Sequence, residues 1–353
     1  MTGMASFPWA FVLTPFLHRS NIDYRPLIFI LIPLVIFTRL TEDSIISTIQ
    51  LLNAIVVPYI LWKRGSFKSV QMAFKLYLIL TLVFALAQNY LPIFREFSAL
   101  LFGHSSGYSG GKGVPMLSYE PGRSAAEIMI VASTLFVTCS RRKTKIFIFT
   151  LIVILLLLNK SFTFFFYLLL FLIFQLKLKN LLVLPIVIIF ITFSGLDIRG
   201  FDLLTSLINN PGSMYDILMI QGGHRIVGLS SIIHSGIHLG YGFGEWALPV
   251  KNYMEGLGSF LENIGFYRLN GLSPVPPMSF LGKYYLETGI LGLIFMGLVF
   301  KNLINKALKK SKGFTLLMLL YSSLLYYPAS PIALMALVYF VIIPNEKNII
   351  HSN

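Results

Sequence analysis

Cysteine is all but missing from this chain. Cys139 stands alone among 353 residues, which excludes an internal disulfide and a cysteine-based zinc site. Charge is scarce too: Asp, Glu, Lys and Arg make up 12% of the sequence, against about 25% in ordinary soluble domains. What charge remains is lopsided, with 28 basic and 14 acidic residues. No DxD, no HExxH and no histidine cluster at metal-ligand spacing occurs, which argues against a metal-dependent transferase and predicts no metal site. Neither a P-loop nor a dinucleotide fingerprint is present, so no cofactor is expected. The alternating apolar and polar pattern of a transmembrane β-barrel is missing as well.

Hydrocarbon fills the chain instead. Hydrophobic residues make up 56%, in runs such as IFIFTLIVILLLL (146–158) and LLVLPIVIIFITF (181–193) that no soluble core of this size would hide. An all-α polytopic membrane protein is the expected fold. The net charge of +14 sits in short connectors: KRGSFK (63–68), SRRKTK (140–145), KLK (177–179) and KNLINKALKKSK (301–312). That is the distribution of a positive-inside topology, not of a nucleic-acid surface, so no nucleic-acid partner is expected. Placing those connectors in the cytoplasm gives about eleven transmembrane helices, in a range of about ten to twelve. They fall at 5–17, 26–40, 44–61, 71–90, 124–139, 145–158, 161–176, 180–195, 285–300, 313–327 and 331–344. The N-terminal MASFPWAFVLTPFL is read as a retained first span, with no cleaved signal peptide. The N-terminus then lies outside, the C-terminus inside, and two large loops, 91–123 and 196–284, lie outside. With no repeat and no separate soluble domain, residues 1–353 read as a single integral membrane domain. Most acidic residues fall on the outer side, where chemistry is expected.

Four elements converge on that outer side. The stretch GGHRIVGLSSIIHSGIHLGYGFGEW (222–246) has helical periodicity: His224, Gly228, Ser231, Ser235 and His238 share one face, and Ile226, Leu229, Ile233 and Ile237 the opposite one. The pattern predicts a helix starting after Gly222-Gly223, with Arg225 in its first turn, where free N–H groups and the helix dipole favour anions. An interfacial helix lying on the bilayer is the plain alternative. In SYEPGRSAAE (118–127), Glu120-Pro121 marks a helix start. Arg123 and Glu127 are spaced to pair, and Glu127 is an ionisable residue inside a span. The turn Asn159-Lys160-Ser161 joins spans too short for a hydrocarbon core of about 30 Å, which places it below the outer surface. In GKYYLETGILGL (282–293), Lys283 and Glu287 are again four apart. Arg225, Arg123, Lys160 and Lys283 thus form a cationic set suited to a phosphate or pyrophosphate, and a lipid-borne activated substrate would supply the energy that ATP cannot supply outside.

The series SYEPGRSAA, NKSFTF, HR with its helix and GYGFG, then LETGILGL, resembles the O-antigen polymerase and ligase superfamily in the order and spacing of short motifs over about 118–293. The resemblance implies a GT-C-like multi-span glycosyltransferase of the bacterial inner membrane, its active site facing the periplasm. It implies action without metal on oligosaccharide linked to undecaprenyl pyrophosphate, with membrane lipid and a chain-length regulator protein as further partners. By the same resemblance Arg225 binds the donor pyrophosphate, and Glu120-Pro121 with Arg123 matches a second family element. Glu120 or His224 is the candidate base for the acceptor, with Glu127, His238, Tyr241 and Glu287 as further site candidates. Ligases carry a His-Asn pair about nine residues before the motif glutamate; here that glutamate is Glu287 and the place holds Met278-Ser279. The expectation is therefore an O-antigen polymerase (Wzy-like) rather than a ligase, with a lipid-linked oligosaccharide flippase as the rival of another class.

Overall fold

The computed structural model describes residues 57–63, 67–91, 93, 94, 96, 114–117, 121–175, 214–242, 244–277, 279–324 and 332–343. Expected spans at 5–17, 26–40 and 180–195, and the start of the one at 44–61, lie outside them, as do most of the 91–123 loop and the start of the 196–284 loop. Among the described residues the chain is helical, without strands. Its helices are α1 (Phe67–Tyr90), α2 (Pro121–Thr138), α3 (Arg142–Asn159), α4 (Phe162–Gln175), α5 (Met214–His234), α6 (Ala247–Leu257), α7 (Gly265–Asn270), α8 (Phe280–Lys310), α9 (Lys312–Leu324) and α10 (Ile332–Ile342).

Two of them, α1 over Val70–Tyr90 and α8 over Leu281–Lys310, are long and apolar enough to cross a membrane. α1 presents Met72, Leu76, Ile79, Val83 and Leu86 to the outside of the fold. That is a stripe at helical spacing which water would penalise and lipid would not. The other face packs inward: Phe74, Tyr77, Leu78 and Ala85 join α2, α3, α4, α8, α9 and α10 in one apolar core. Small residues let α2 sit at its centre. Ala125, Ala126, Ser124 and Ser133 are all buried there, so neighbouring backbones approach closely.

A second, smaller core lies between α5 and the first turns of α8. Val227 of α5, Val250 and Met254 of α6, Leu261, Ile264, Tyr267 and Leu286 of α8 close around one another. The sequence pattern suggested a single helix in the 196–284 loop. Three short helical elements accompany it instead: α6, the 3₁₀ turn Gly258–Asn263 and α7. Being six to eleven residues each, they are too short to show in a hydropathy window.

Candidate functional site

The first of two assemblies joins the start of α2 to the middle of α1 and to the turn that ends α3. α2 begins at Pro121, whose missing N–H costs nothing in a first turn. That start puts Arg123 and Glu127 on successive turns, and the two pair at 3.4 Å between Nε and Oε1 with side chains only 1% exposed. The other carboxylate oxygen of Glu127 accepts from the Tyr77 hydroxyl of α1 at 3.1 Å. Burying an ion pair is a poor way to gain stability, because desolvation offsets most of the attraction. The neighbouring turn is fixed just as firmly. Asn159 is fully buried, and its Nδ2 donates to the Val114 carbonyl and to Ser124 Oγ, both at 3.0 Å. Lys160 closes α3 in the left-handed region at φ 55° and is half-buried. Asn159 thus ties the turn after α3 to the start of α2 and to Val114, and α3, with 18 residues or about 27 Å, lacks the shortness from which a sunken turn was expected. α3 itself is longer than the sequence suggested, Arg142–Asn159 rather than 145–158.

The second assembly joins α5 to α8. Gly289 interrupts α8 at φ 65°, ψ −163°, a conformation essentially confined to glycine. An interrupted helix leaves backbone groups that must find partners. The loop after α5 provides them. Tyr241 N–H donates to the Leu286 carbonyl at 3.1 Å, Gly242 N–H to the Glu287 carbonyl at 2.9 Å, and Ile290 N–H to the His238 carbonyl at 3.0 Å. The two motifs GYGFG and ETGILG are therefore two halves of one backbone joint. One turn before it in α8, Lys283 pairs with Glu287 at 3.5 Å, both nearly buried, and its ammonium lies 6.0 Å from the Trp246 ring centroid.

His238 sits in this joint between the rings of Tyr241 and Tyr285, at 4.8 and 4.6 Å. Its Nδ1 accepts from Gly240 N–H at 3.0 Å, which fixes the neutral tautomer with hydrogen on Nε2. Burial holds its pKa below the ordinary histidine value. His224 stacks on Phe266 of α7 at 4.5 Å and 26°, on the small outer core. There Tyr267 is pushed up to about 12 by burial and is neutral throughout the physiological range.

Two expectations about α5 are corrected. The helix does not start after Gly222-Gly223; it runs from Met214, so His224 and Arg225 are interior residues. The anion-binding helix N-terminus expected at Arg225 does not exist there, because interior N–H groups are already bonded within the helix. Nor is His238 part of a helical stripe, since α5 ends at His234 and Gly236 turns the chain at φ 59°. The small polar face is a packing face: Ser231 is buried, and a Cβ on Gly228 would lie 3.2 Å from Pro277 Cα.

The structure thus gathers Arg123, Glu127 and the Lys160 turn in one assembly, and Lys283, Glu287, His238 and Tyr241 in another. Arg225 lies on α5, its side chain outside the described atoms, and Glu120 lies outside the described residues. Sequence reasoning missed Tyr77, fifty residues from its partner, and Asn159 as a donor rather than a mere turn residue. Among the described residues no cluster of three or more His, Cys, Asp or Glu could hold a metal ion. No protein-family model matches the chain, and no curated protein or solved structure matches it.

Proposed function

We propose that this chain is an inner-membrane glycosyltransferase that polymerises oligosaccharide repeat units carried on undecaprenyl pyrophosphate, working at the periplasmic face. The observation that supports the reading best is the joint between residues 238–242 and the break in α8. Two motifs whose order carries the family resemblance meet there, about two turns into a helix apolar enough to cross a membrane. The buried Arg123–Glu127 pair adds to it. Two apolar residues would hold the bundle about as well, so an arginine there is better explained by an anionic ligand.

In the proposed reaction an acceptor hydroxyl attacks the anomeric carbon of the donor glycan. The new glycosidic bond forms as the bond from that carbon to the pyrophosphate oxygen breaks, with inversion. Undecaprenyl pyrophosphate leaves, and the hydroxyl proton passes to a carboxylate or imidazole, Glu120 or His224. Arg225 and Arg123, with Lys160, offset the charge growing on the departing pyrophosphate. Lys283, tied to Glu287, sits on the α5–α8 side of the same outer face. Ser279, at the place where ligases carry their His-Asn pair, accepts from Gly282 N–H and caps α8; the absence of the ligase histidine from Met278-Ser279 is what favours the polymerase over the ligase.

Deleting the gene and separating the lipopolysaccharide on a gel tests the reading. A ladder collapsed to core plus a single repeat unit is the expected result. Loss of every repeat unit from the core would transfer the reading to a ligase or a flippase. In the same assay Arg225→Ala, inserted normally in the membrane, is expected to give the collapsed pattern, and a normal ladder from that variant would take Arg225 out of the scheme.

A further inference from the structure

The polar face of α5 is turned into the protein, which leaves its apolar face outside. Ile226, Leu229, Ile233, Ile237 and Leu239 are all exposed, Ile233 at 82% and Ile237 at 89%. Large aliphatic side chains so uncovered, three at helical spacing on α5 and two in the loop that follows it, mark a surface that something else covers. Where this surface sits is set by the joint with α8. Apart from the paired Lys283 and Glu287, α8 carries no charge from Leu281 to Phe300, before the basic segment begins at Lys301, a length of about 30 Å, which matches a hydrocarbon core. Gly289 interrupts it roughly 12 Å from the outer end. The bond from Ile290 N–H to the His238 carbonyl therefore holds Ile237 and Leu239 beside a span, below its outer end. From Ile290 the same face of α8 continues through Ile294 and Leu298, both exposed, as the side that lipid must cover if α8 spans.

We propose that the C-terminal part of α5 and the loop behind it, led by Ile233, Ile237 and Leu239, are inserted in the outer leaflet at the boundary of headgroups and acyl chains. The occupant of this apolar face is bilayer lipid. The inference rests on the membrane reading above and goes beyond it. The outer loop does not stand free in the periplasm; it is anchored in the leaflet from which a lipid-linked substrate arrives. The apolar residues lie on one side of α5, and Gly228 and Ser231 lie on the protein side, so the helix meets lipid and protein at once.

The lone cysteine makes the test direct. In a Cys139→Ser background, bimane is attached separately at Ile237→Cys, at Ile294→Cys on α8 and at Glu255→Cys, an exposed residue of α6. The full chain is reconstituted in vesicles with or without chain-brominated phosphatidylcholine. The expected result is about a two-fold loss of emission at both Ile237 and Ile294 in the brominated vesicles, with little change at Glu255. Aqueous iodide is expected to do the opposite, quenching only the label at Glu255. Iodide quenching at 237 with bromine quenching at 294 overturns the insertion and leaves the membrane reading standing. Loss of bromine quenching at 294 overturns both. Protection of 237 from both quenchers, relieved when labelled protein is diluted, identifies a second copy of the chain as the occupant and also overturns the proposal.

Discussion

At the scale of single residues, the Arg123–Glu127–Tyr77 cluster separates a charge interaction from a hydrogen bond. Removing one member of a buried ion pair strands the other charge, so Arg123→Ala and Glu127→Ala are each expected to destabilise the purified protein by about 3–5 kcal/mol. Tyr77→Phe keeps the ring and removes only a bond to a carboxylate, for which about 1.5–3 kcal/mol is expected. Thermal unfolding in detergent ranks the three variants, and an equal loss in all three would mean that Tyr77 carries part of the charge balance. Arg123 and Glu127 were legible in the sequence because four-residue spacing is a local signal. Tyr77 was not, since an aromatic in an apolar helix reads as core until the partner from another helix is seen. His238 makes a second prediction. Its folded pKa is depressed by burial, so the folded protein takes up this proton at lower pH than the unfolded chain does. The stability it contributes is complete above the ordinary value of 6.5 and is lost as pH falls through the folded value. Protonation at Nδ1 would also set a donor against Gly240 N–H. The melting temperature is therefore expected to fall between about pH 7.5 and about pH 5.5 by less in His238→Asn than in the native chain.

At the scale of elements, glycine is where the sequence was read both well and badly. The pair Gly222-Gly223 reads as a helix break, because each glycine costs a helix about 1 kcal/mol relative to alanine. The structure carries α5 straight through it. A Cβ at Gly223 would come within 2.8 Å of Ile264, so that glycine is kept for close packing with the small outer core, a non-local reason that periodicity does not contain. The glycines of GYGFG and ETGILG look like ordinary turn and membrane-helix residues, yet they form the joint. Gly289 has φ 65°, and a Cβ there would fall 2.3 Å from the His238 carbonyl oxygen; Gly240 has φ 112°, and its Cβ would fall 2.7 Å from that of Glu287. Gly289→Ala and Gly240→Ala are each expected to cost more than the roughly 1–3 kcal/mol of backbone strain alone, because each also drives a side chain into backbone. Both break the same contact, so the double variant is expected to lose little more than either single one. Gly236→Ala serves as the control, since its φ is 59° with nothing within 4 Å of the added carbon; about 1–2 kcal/mol is expected there. Additive losses at 240 and 289 in thermal unfolding would mean that the joint is not one cooperative unit.

At the scale of the whole molecule, the helical class and the positions of α1–α4, α9 and α10 were legible because apolar runs are strong, local and repeated signals, whereas α8 runs on to Lys310 through most of the basic stretch 301–312 that reads as a connector. The second core, between α5 and α8, was not, since its helices are short and its apolar residues, among them Val250, Met254 and Leu261, are spread thinly among polar ones. The orientation of the bundle has a direct test. α2 runs from Pro121 to Thr138, so Arg123 and the end of the helix beside Cys139 are about 22 Å apart, most of the way across a hydrocarbon core of about 30 Å. Cys139 precedes the basic connector SRRKTK, which the positive-inside rule assigns to the cytoplasm, and its thiol is partly exposed. A membrane-impermeant maleimide is therefore expected to leave the chain unmodified in intact spheroplasts and to label it in inverted membrane vesicles. Labelling in spheroplasts would turn the bundle over. Arg123, the Lys160 turn and the α5–α8 joint would then face the cytoplasm, where soluble nucleotide-sugars are available as donors. The case for a lipid-borne pyrophosphate substrate would lose its main physical reason, the proposed siting of the reaction on the side of the membrane that ATP does not reach.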